Sequence, residues 1–213
     1  MNTLTEFVNQ MVNKGDVKLA RFLENKTREK KENRKSLTSI SSPILLPSVA
    51  ISTKVYALTD FKTKLVAEQM TLLDQELFLK IEIPEVLIWT KEQKEQLVPN
   101  LTKFTEHFNK MSYWARSRVL QEEEARDREK LMLKLIKIIK HLRKLNNFNS
   151  YLALVSALDS APIRRLEWPK NIVEEIKEHS ALIDTSSSFK AYRQVLADTE
   201  PPCIPYMYVL TWV

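Results

Sequence analysis

The sequence predicts an all-α protein, an irregular helical bundle, and three observations carry that prediction. Gly15 is the only glycine in 213 residues, against a usual share of roughly 7%. From about Asp60 onward, apolar residues recur at three- and four-residue spacing, the mark of helices that bury one face. In the most regular stretch, Glu122 to Glu124 stand before the apolar pattern and Arg143 and Lys144 near its end. That charge order suits a helix dipole.

The elements follow in order. Leu4, Phe7, Val8 and Met11 have helical spacing, and the pattern breaks near Gly15. Val17, Leu19, Phe22 and Leu23 begin a second short helix that runs into the basic stretch Lys26 to Lys35. Residues 36–58 are rich in Ser, Thr and β-branched residues, with Pro43 and Pro47, and read as a linker. The expected organisation is therefore a helical leader over 1–35, a linker over 36–58 and one helical domain over 59–213.

Within that domain, Leu65, Met70, Leu73, Leu77 and Phe78 share one broad helical face. Asn100 is placed to cap a helix whose apolar face is Leu101, Phe104, Phe108, Met111 and Trp114. The helix opened by Glu122 to Glu124 buries Leu131, Leu135, Ile138, Ile139 and Leu142. Asn146, Asn147 and Asn149 end it, and Phe148 to Leu158 forms a further buried helix. Pro162 and Pro169 bracket a short connection, and two last helices span 171–183 and 187–198. No internal repeat is visible.

Composition excludes several chemistries. With one glycine there is no Gly-rich phosphate loop, so the chain is neither a P-loop GTPase nor a dinucleotide-binding enzyme. The three histidines, His107, His141 and His179, lack metal-ligand spacing. The only cysteine, Cys203, rules out an internal disulfide and fits a reducing compartment. Its neighbours Pro202 and Ile204 suit a buried small residue rather than a nucleophile. The net charge of +6 sits largely in residues 26–35 and in Lys134, Lys137, Lys140 and Lys144, the latter set read as the solvated stripe of a helix. No nucleic-acid motif accompanies either patch. No apolar run reaches the roughly 18–20 residues of a membrane span. The residues thus describe a helical binding module without covalent chemistry, cofactor, metal or nucleic-acid partner.

One block is far more specific. Leu145-Asn-Asn-Phe-Asn-Ser-Tyr-Leu152, continuing through Asp159 to Pro162 and the Arg164-Arg165 pair, resembles the central segment of the Ras guanine-nucleotide exchange factor (RasGEF) catalytic domain. Pro99 to His107 and Pro201-Pro-Cys-Ile-Pro-Tyr206 agree with it in order and spacing, and Ala67 to Phe78 with Lys80 to Leu87 resembles the opening of such a domain. The resemblance covers about residues 59–206. Thr105-Glu-His107 and Asn109 to Trp114 are most similar to the Crk-binding, Rap-directed branch. By position, the leader resembles the tail of an accessory helical domain that often precedes such domains; a plain leader is the alternative.

The resemblance implies a guanine-nucleotide exchange factor in small-GTPase signal transduction. Its partner would be a Rap/Ras-family small GTPase, met in the cytoplasm or at membranes where the GTPase resides, by peripheral recruitment. It further implies a pocket for a tyrosine of the GTPase's second switch, built from Thr105, Leu152, Asp159, Phe189 and Tyr206 with Glu106 at the rim. Leu152 and Phe189 would serve equally well as plain core. Asn146, Asn147 and Asn149 are read as ties between helix ends and loops, and Arg164 and Arg165 likewise as structural. In the family a glycine, a short apolar stretch and a helical hairpin follow the Pro-Pro-Cys block; here Met207 to Val213 follows without the glycine. The expectation is a partial RasGEF catalytic domain, inactive in exchange as this chain. The alternatives are a GTPase-binding or decoy fragment, or an unstable truncated product.

Overall fold

The computed structural model describes residues 57–92, 94–184 and 188–207, with residues 17, 21, 24–26 and 28 near the N-terminus. The chain divides into two compact units, Met1–Val55 and Tyr56–Val213. The few described residues of the first are helical and exposed. The leader and linker expected over 1–58, and the final segment 208–213, lie almost wholly outside the described residues.

The second unit is helical. After a 3-10 turn at Leu58–Asp60 come α1 (Thr63–Lys80), α2 (Ile83–Glu92), a 3-10 turn at Glu95–Leu97, α3 (Pro99–Gln121) and α4 (Ala125–Lys144). Then follow α5 (Phe148–Leu158), the short α6 (Ala161–Arg164), α7 (Lys170–Ser180), a 3-10 turn at Ala181–Ile183 and α8 (Lys190–Ala197). Among the described residues the only β pairing is a single parallel bridge between Asn147 and Ile204.

The apolar pattern names most of the core. Leu131, Leu135, Ile138, Ile139 and Leu142 of α4 are buried, joined by Met132 and Ile136. Every residue of α5 except Ser156 is buried. This helix is the spine of the unit and packs most extensively on α3. The expected face of α1 needs correction. Its buried residues are Ala67, Met70 and Asp74, one stripe at i, i+3 and i+7. Leu65 and Leu73 fall off that stripe and remain 46% and 51% exposed.

The start of α3 is also built differently from expectation. Val98, not Asn100, is the N-cap, and no side chain caps the helix locally. The buried Glu85 of α2 does so from outside. Its Oε2 accepts the Leu101 N–H at 2.8 Å, and its Oε1 accepts Asn100 Nδ2 at 2.6 Å. A first-turn amide thus finds a carboxylate, which also suits the positive end of the helix dipole. The basic stripe of α4 is not all solvated either. Lys134 Nζ donates to the carbonyls of Thr59 and Phe61, and Lys140 pairs with Glu175 of α7.

Two apolar clusters result. The larger draws on α1, α3, α4, α5, α6, α7 and α8. The smaller holds Ile81, Val98, Leu101, Phe104, Ile204 and Met207, with Leu77, Phe78, Val86, Ile88 and Trp89 against it. Helix α3 belongs to both: Leu101 and Phe104 to the small cluster, Ala115 and Val119 to the large one.

Candidate functional site

The site begins where α4 stops. Asn146 adopts φ 52°, in the left-handed region, which asparagine tolerates better than most residues. The Asn147 N–H donates to Leu142 O at 3.1 Å and the Asn146 N–H to Arg143 O at 3.2 Å. This pair of bonds is a Schellman cap, with asparagine where glycine is usual. The reversal launches α5, whose N-cap Asn147 accepts the Ser150 N–H through its side chain at 3.1 Å.

The same turn captures the segment that follows α8. The Phe148 N–H donates to Ile204 O at 2.9 Å, and the Ile204 N–H to Asn146 O at 3.0 Å. Asn146 Nδ2 lies 3.4 Å from the carbonyls of Glu200 and Pro202. The Pro201–Pro202 bond is cis. Further along, the Tyr206 N–H donates to the Tyr192 hydroxyl at 2.7 Å. Burial raises the Tyr192 pKa well above the ordinary phenol range, against a smaller opposing effect of the Tyr206 amide. The segment 201–207 is therefore a strap, tied at its middle to the α4–α5 turn and near its end to α8.

Beneath the strap lies a buried polar hub that sequence reading missed. Asp74 of α1 is fully buried. Its Oδ2 accepts Asn147 Nδ2 at 2.8 Å and the Ser150 hydroxyl, and its Oδ1 accepts Asn149 Nδ2 at 2.9 Å. His107 Nε2 of α3 stands 3.2 Å from Oδ1, at ion-pair distance though not aligned as a hydrogen bond. The asparagines thus tie elements together, Asn147 and Asn149 to Asp74 and Asn146 to the strap. The signal was available: Asp74 continues the stripe of Ala67 and Met70, a core position holding an acid.

Above the hub opens a cavity of about 280 Å³, lined by Phe104, Thr105, Phe108, Asn109, Asn149, Tyr206 and Met207. Tyr206 is its central wall, with ring centroids 4.8 Å from Phe108, 6.3 Å from Tyr192 and 6.4 Å from Phe189. A smaller recess beside it is lined by Trp89, Thr105, Glu106 and Asn109, among others. Thr105 borders both, and its hydroxyl donates to Leu101 O at 3.1 Å.

The six sequence-predicted site residues do not all meet. Thr105 and Tyr206 line the cavity, Phe189 backs Tyr206, and Glu106 is an exposed rim residue paired with Lys110 at 3.2 Å. Leu152 is fully buried in the larger cluster and does not line the cavity. Asp159 lies about 10 Å further along the α5 axis, at 1.5 Å per residue. It is held in a two-pronged pair by Arg164, Nε to Oδ1 at 2.8 Å and Nη2 to Oδ2 at 2.7 Å. Phe189 sits at φ 58° and ψ 41°, left-handed, a costly conformation for a bulky residue. Phe108 and Asn149 were read from sequence as helix face and structural tie, yet both line the cavity.

Two other groups bear on chemistry. Cys203 is half-buried, and burial raises its thiol pKa, which disfavours a nucleophilic thiolate. Among the described residues no cluster of three or more His, Cys, Asp or Glu is arranged to hold a metal ion, and no helix is long and apolar enough to cross a membrane. What the arrangement offers is a cavity with aromatic and polar lining residues.

Comparison with known proteins places the chain in a family. The family model of the RasGEF domain matches residues 65–211. The chain is 56% identical over 207 residues to human Rap guanine nucleotide exchange factor 1, covering 97% of this chain and 19% of that protein. It is 63% identical over 151 residues to guanine nucleotide-releasing factor 2 of Drosophila melanogaster, covering 71% of this chain and 10% of that protein. Ras guanine nucleotide exchange factor B of Dictyostelium discoideum is 32% identical over 216 residues, or 96% of this chain and 14% of its own length. The chain thus spans between a tenth and a fifth of the length of these relatives.

Proposed function

The chain belongs to the RasGEF domain family, and on that premise we propose that it supplies the GTPase-docking surface of an exchange factor directed at Rap. The observation that carries this reading is the aromatic cavity where α3, the start of α5 and the 201–207 strap converge. Thr105 and Tyr206, which line it, are two of the positions that the resemblance assigns to the second switch. An anchored aromatic side chain in such a desolvated pocket is a typical binding hot spot. The preference for Rap rests on the identity with human Rap guanine nucleotide exchange factor 1. Encounter would take place at the membrane that carries the lipidated GTPase.

Docking alone does not release nucleotide. A partner shifts an equilibrium only by its differential affinity for the two states. A pocket that grips one switch holds the nucleotide-bound and nucleotide-free forms alike. The described residues are proposed to provide this grip and not the discrimination. The test measures two things on the 213-residue chain: retention on immobilised nucleotide-free Rap, and release of fluorescent GDP from loaded Rap. The expected result is retention without acceleration. A dose-dependent rise in release would show that the chain both docks and discriminates; absence of retention would remove the docking proposal.

A further inference from the structure

Around α4 the charges fall in two blocks. Five carboxylates lie between Glu122 and Glu129, and from Lys130 to Lys144 there are six bases and no acid. A helix dipole accounts for part of this, because it favours cations in the last turn. Arg143 and Lys144 fall there. Lys130, Lys134 and Lys137 lie roughly two to four turns earlier. Local partners absorb only part of the rest. Lys130 is paired with Asp127 at 2.7 Å and Lys140 with Glu175 at 2.6 Å. Lys134 donates to backbone carbonyls, and the Arg143 guanidinium lies 4.9 Å over the Phe148 ring, so both keep their full charge. Lys137 and Lys144 are exposed, and among the described residues no carboxylate pairs with either.

The basic block has a firm backing. On the inner side of the same helix Leu131, Leu135, Ile138, Ile139 and Leu142 are buried in the larger cluster. The outer side is therefore a fixed line of cations, about 21 Å long at 1.5 Å per residue. Such a line matches a surface whose negative charge is spread out; a single phosphate group calls for donors that converge on one point. We propose that the outer face of α4, from Lys130 to Lys144, rests on an anionic bilayer surface rich in a monovalent acidic lipid, phosphatidylserine. Each Lys or Arg held near such a surface strengthens binding about fivefold. Aromatic side chains set among the cations would point instead to stacked nucleic-acid bases, and there is no Phe, Tyr or Trp between Lys130 and Lys144. The block ends two residues before Asn146, whose turn ties the strap. The charged face thus leads up to the strap beside the cavity; only the meaning of that placement for a membrane-borne GTPase rests on the docking reading above.

Sedimentation of the 213-residue chain with vesicles tests this, using phosphatidylcholine alone and phosphatidylcholine with about one third phosphatidylserine. Two double variants lose the same charge: Lys137→Gln with Lys144→Gln on α4, and Lys80→Gln with Lys94→Gln away from it. The basic stretch at 26–35 is common to all forms and cancels in the comparison. The unaltered chain should prefer the acidic vesicles. The α4 pair should weaken that binding about tenfold or more. The other pair should weaken it less than about threefold, because charges further than a Debye length of ~8 Å from the surface are screened. Equal losses in the two pairs would mean that net charge alone acts and would overturn the proposal, as would equal binding to both kinds of vesicle. Retention of an RNA oligonucleotide that depends on Lys137 and Lys144, with vesicle binding untouched by their loss, would overturn it in favour of nucleic acid. A second measurement needs no variant. On the unaltered chain, acidic vesicles should protect Lys137 and Lys144 from acetylation, read by mass spectrometry, and neutral vesicles should not; equal labelling overturns the proposal. No GTPase enters any of these measurements, so their failure leaves the docking reading standing, and failure of that reading leaves this one.

Discussion

The two apolar clusters are made of the same residue types and behave as different kinds of structure. The larger is closed: Leu135, Ile138, Leu142, Leu152 and Leu154 are fully buried, fed by seven helices. The smaller is a half-open seam of six buried residues, two of which, Ile204 and Met207, come from the strap rather than from any long helix. The large cluster holds the helices together. The small one, with Phe108 and Tyr206 beside it, walls the cavity. The closed core and the proposed docking cavity are thus separated in space, with Asp74 as the polar joint between them.

That separation can be broken most severely at its joint. Asp74→Leu should destabilise the domain by at least about 3 kcal/mol, because three buried donors lose their acceptor and each costs roughly 1–3 kcal/mol. Chemical denaturation reads this directly. Next in size, Leu152→Ala should cost about 2–5 kcal/mol as a large-to-small change in a closed core. Rap binding per folded molecule should barely change, because Leu152 does not line the cavity. Tyr206→Ala should do the reverse, weakening Rap binding by roughly 2 kcal/mol as loss of a pocket wall. Melting and binding measured on both variants would show whether the two clusters carry separate duties; parallel losses in both would merge them.

A smaller effect should appear with pH, at the far side of the large cluster. His179 Nδ1 lies 3.1 Å from the Tyr151 hydroxyl. Burial, partly offset by Glu178 and Glu175, holds the imidazole below the ordinary value of 6.5. The unfolded chain therefore takes up the proton first. Stability from this site should be full above about pH 6.5 and decline as pH falls through the depressed folded value. Burial also raises the Tyr151 pKa to about 12, so that phenol stays neutral throughout. The melting temperature, followed from pH 7.5 to 5, should fall less in His179→Gln than in the unaltered chain.

The smallest effect belongs to the outer side of α1. Leu65 and Leu73, with Phe61, Met111 and Trp114, line an apolar groove of about 520 Å³. Leu73→Ser should change stability by no more than about 0.5 kcal/mol, while reducing uptake of a hydrophobic dye.

The same contrast explains what could be read from the chain alone. The α4 interior and the full extent of α5 were legible because burial on a regular helix repeats in sequence. Asp74 and Glu85 were not. Each is one acid among many on a helix, and its meaning comes from partners roughly 15 to 75 residues away. The N-terminus of α3 was misassigned for that reason: Asn100 has the right chemistry for a local cap, but a distant carboxylate took its place. Likewise the cavity is lined by Thr105 and Tyr206 together with Phe108, which the helical pattern shows only as one apolar position on a face, while Leu152 sits in the large cluster.

The strap has a consequence for motion. Its described polar ties include two backbone bonds at Ile204, weak contacts from Asn146 and the Tyr206 amide on Tyr192, beside the apolar packing of Ile204 and Met207 in the smaller cluster. The helices beneath are held by a whole core. Partial opening should therefore detach the strap long before the bundle melts. Its residues also lie more than fifty positions from the turn that receives them, so docking them closes a long loop at an entropic cost. In hydrogen exchange the Ile204 and Tyr206 amides should trade with solvent faster than those of α4 and α5. A bound GTPase, by pinning Tyr206, would slow them and leave the helices nearly unchanged. The recognition surface would then exist in full only part of the time, and ligand affinity would carry the cost of assembling it.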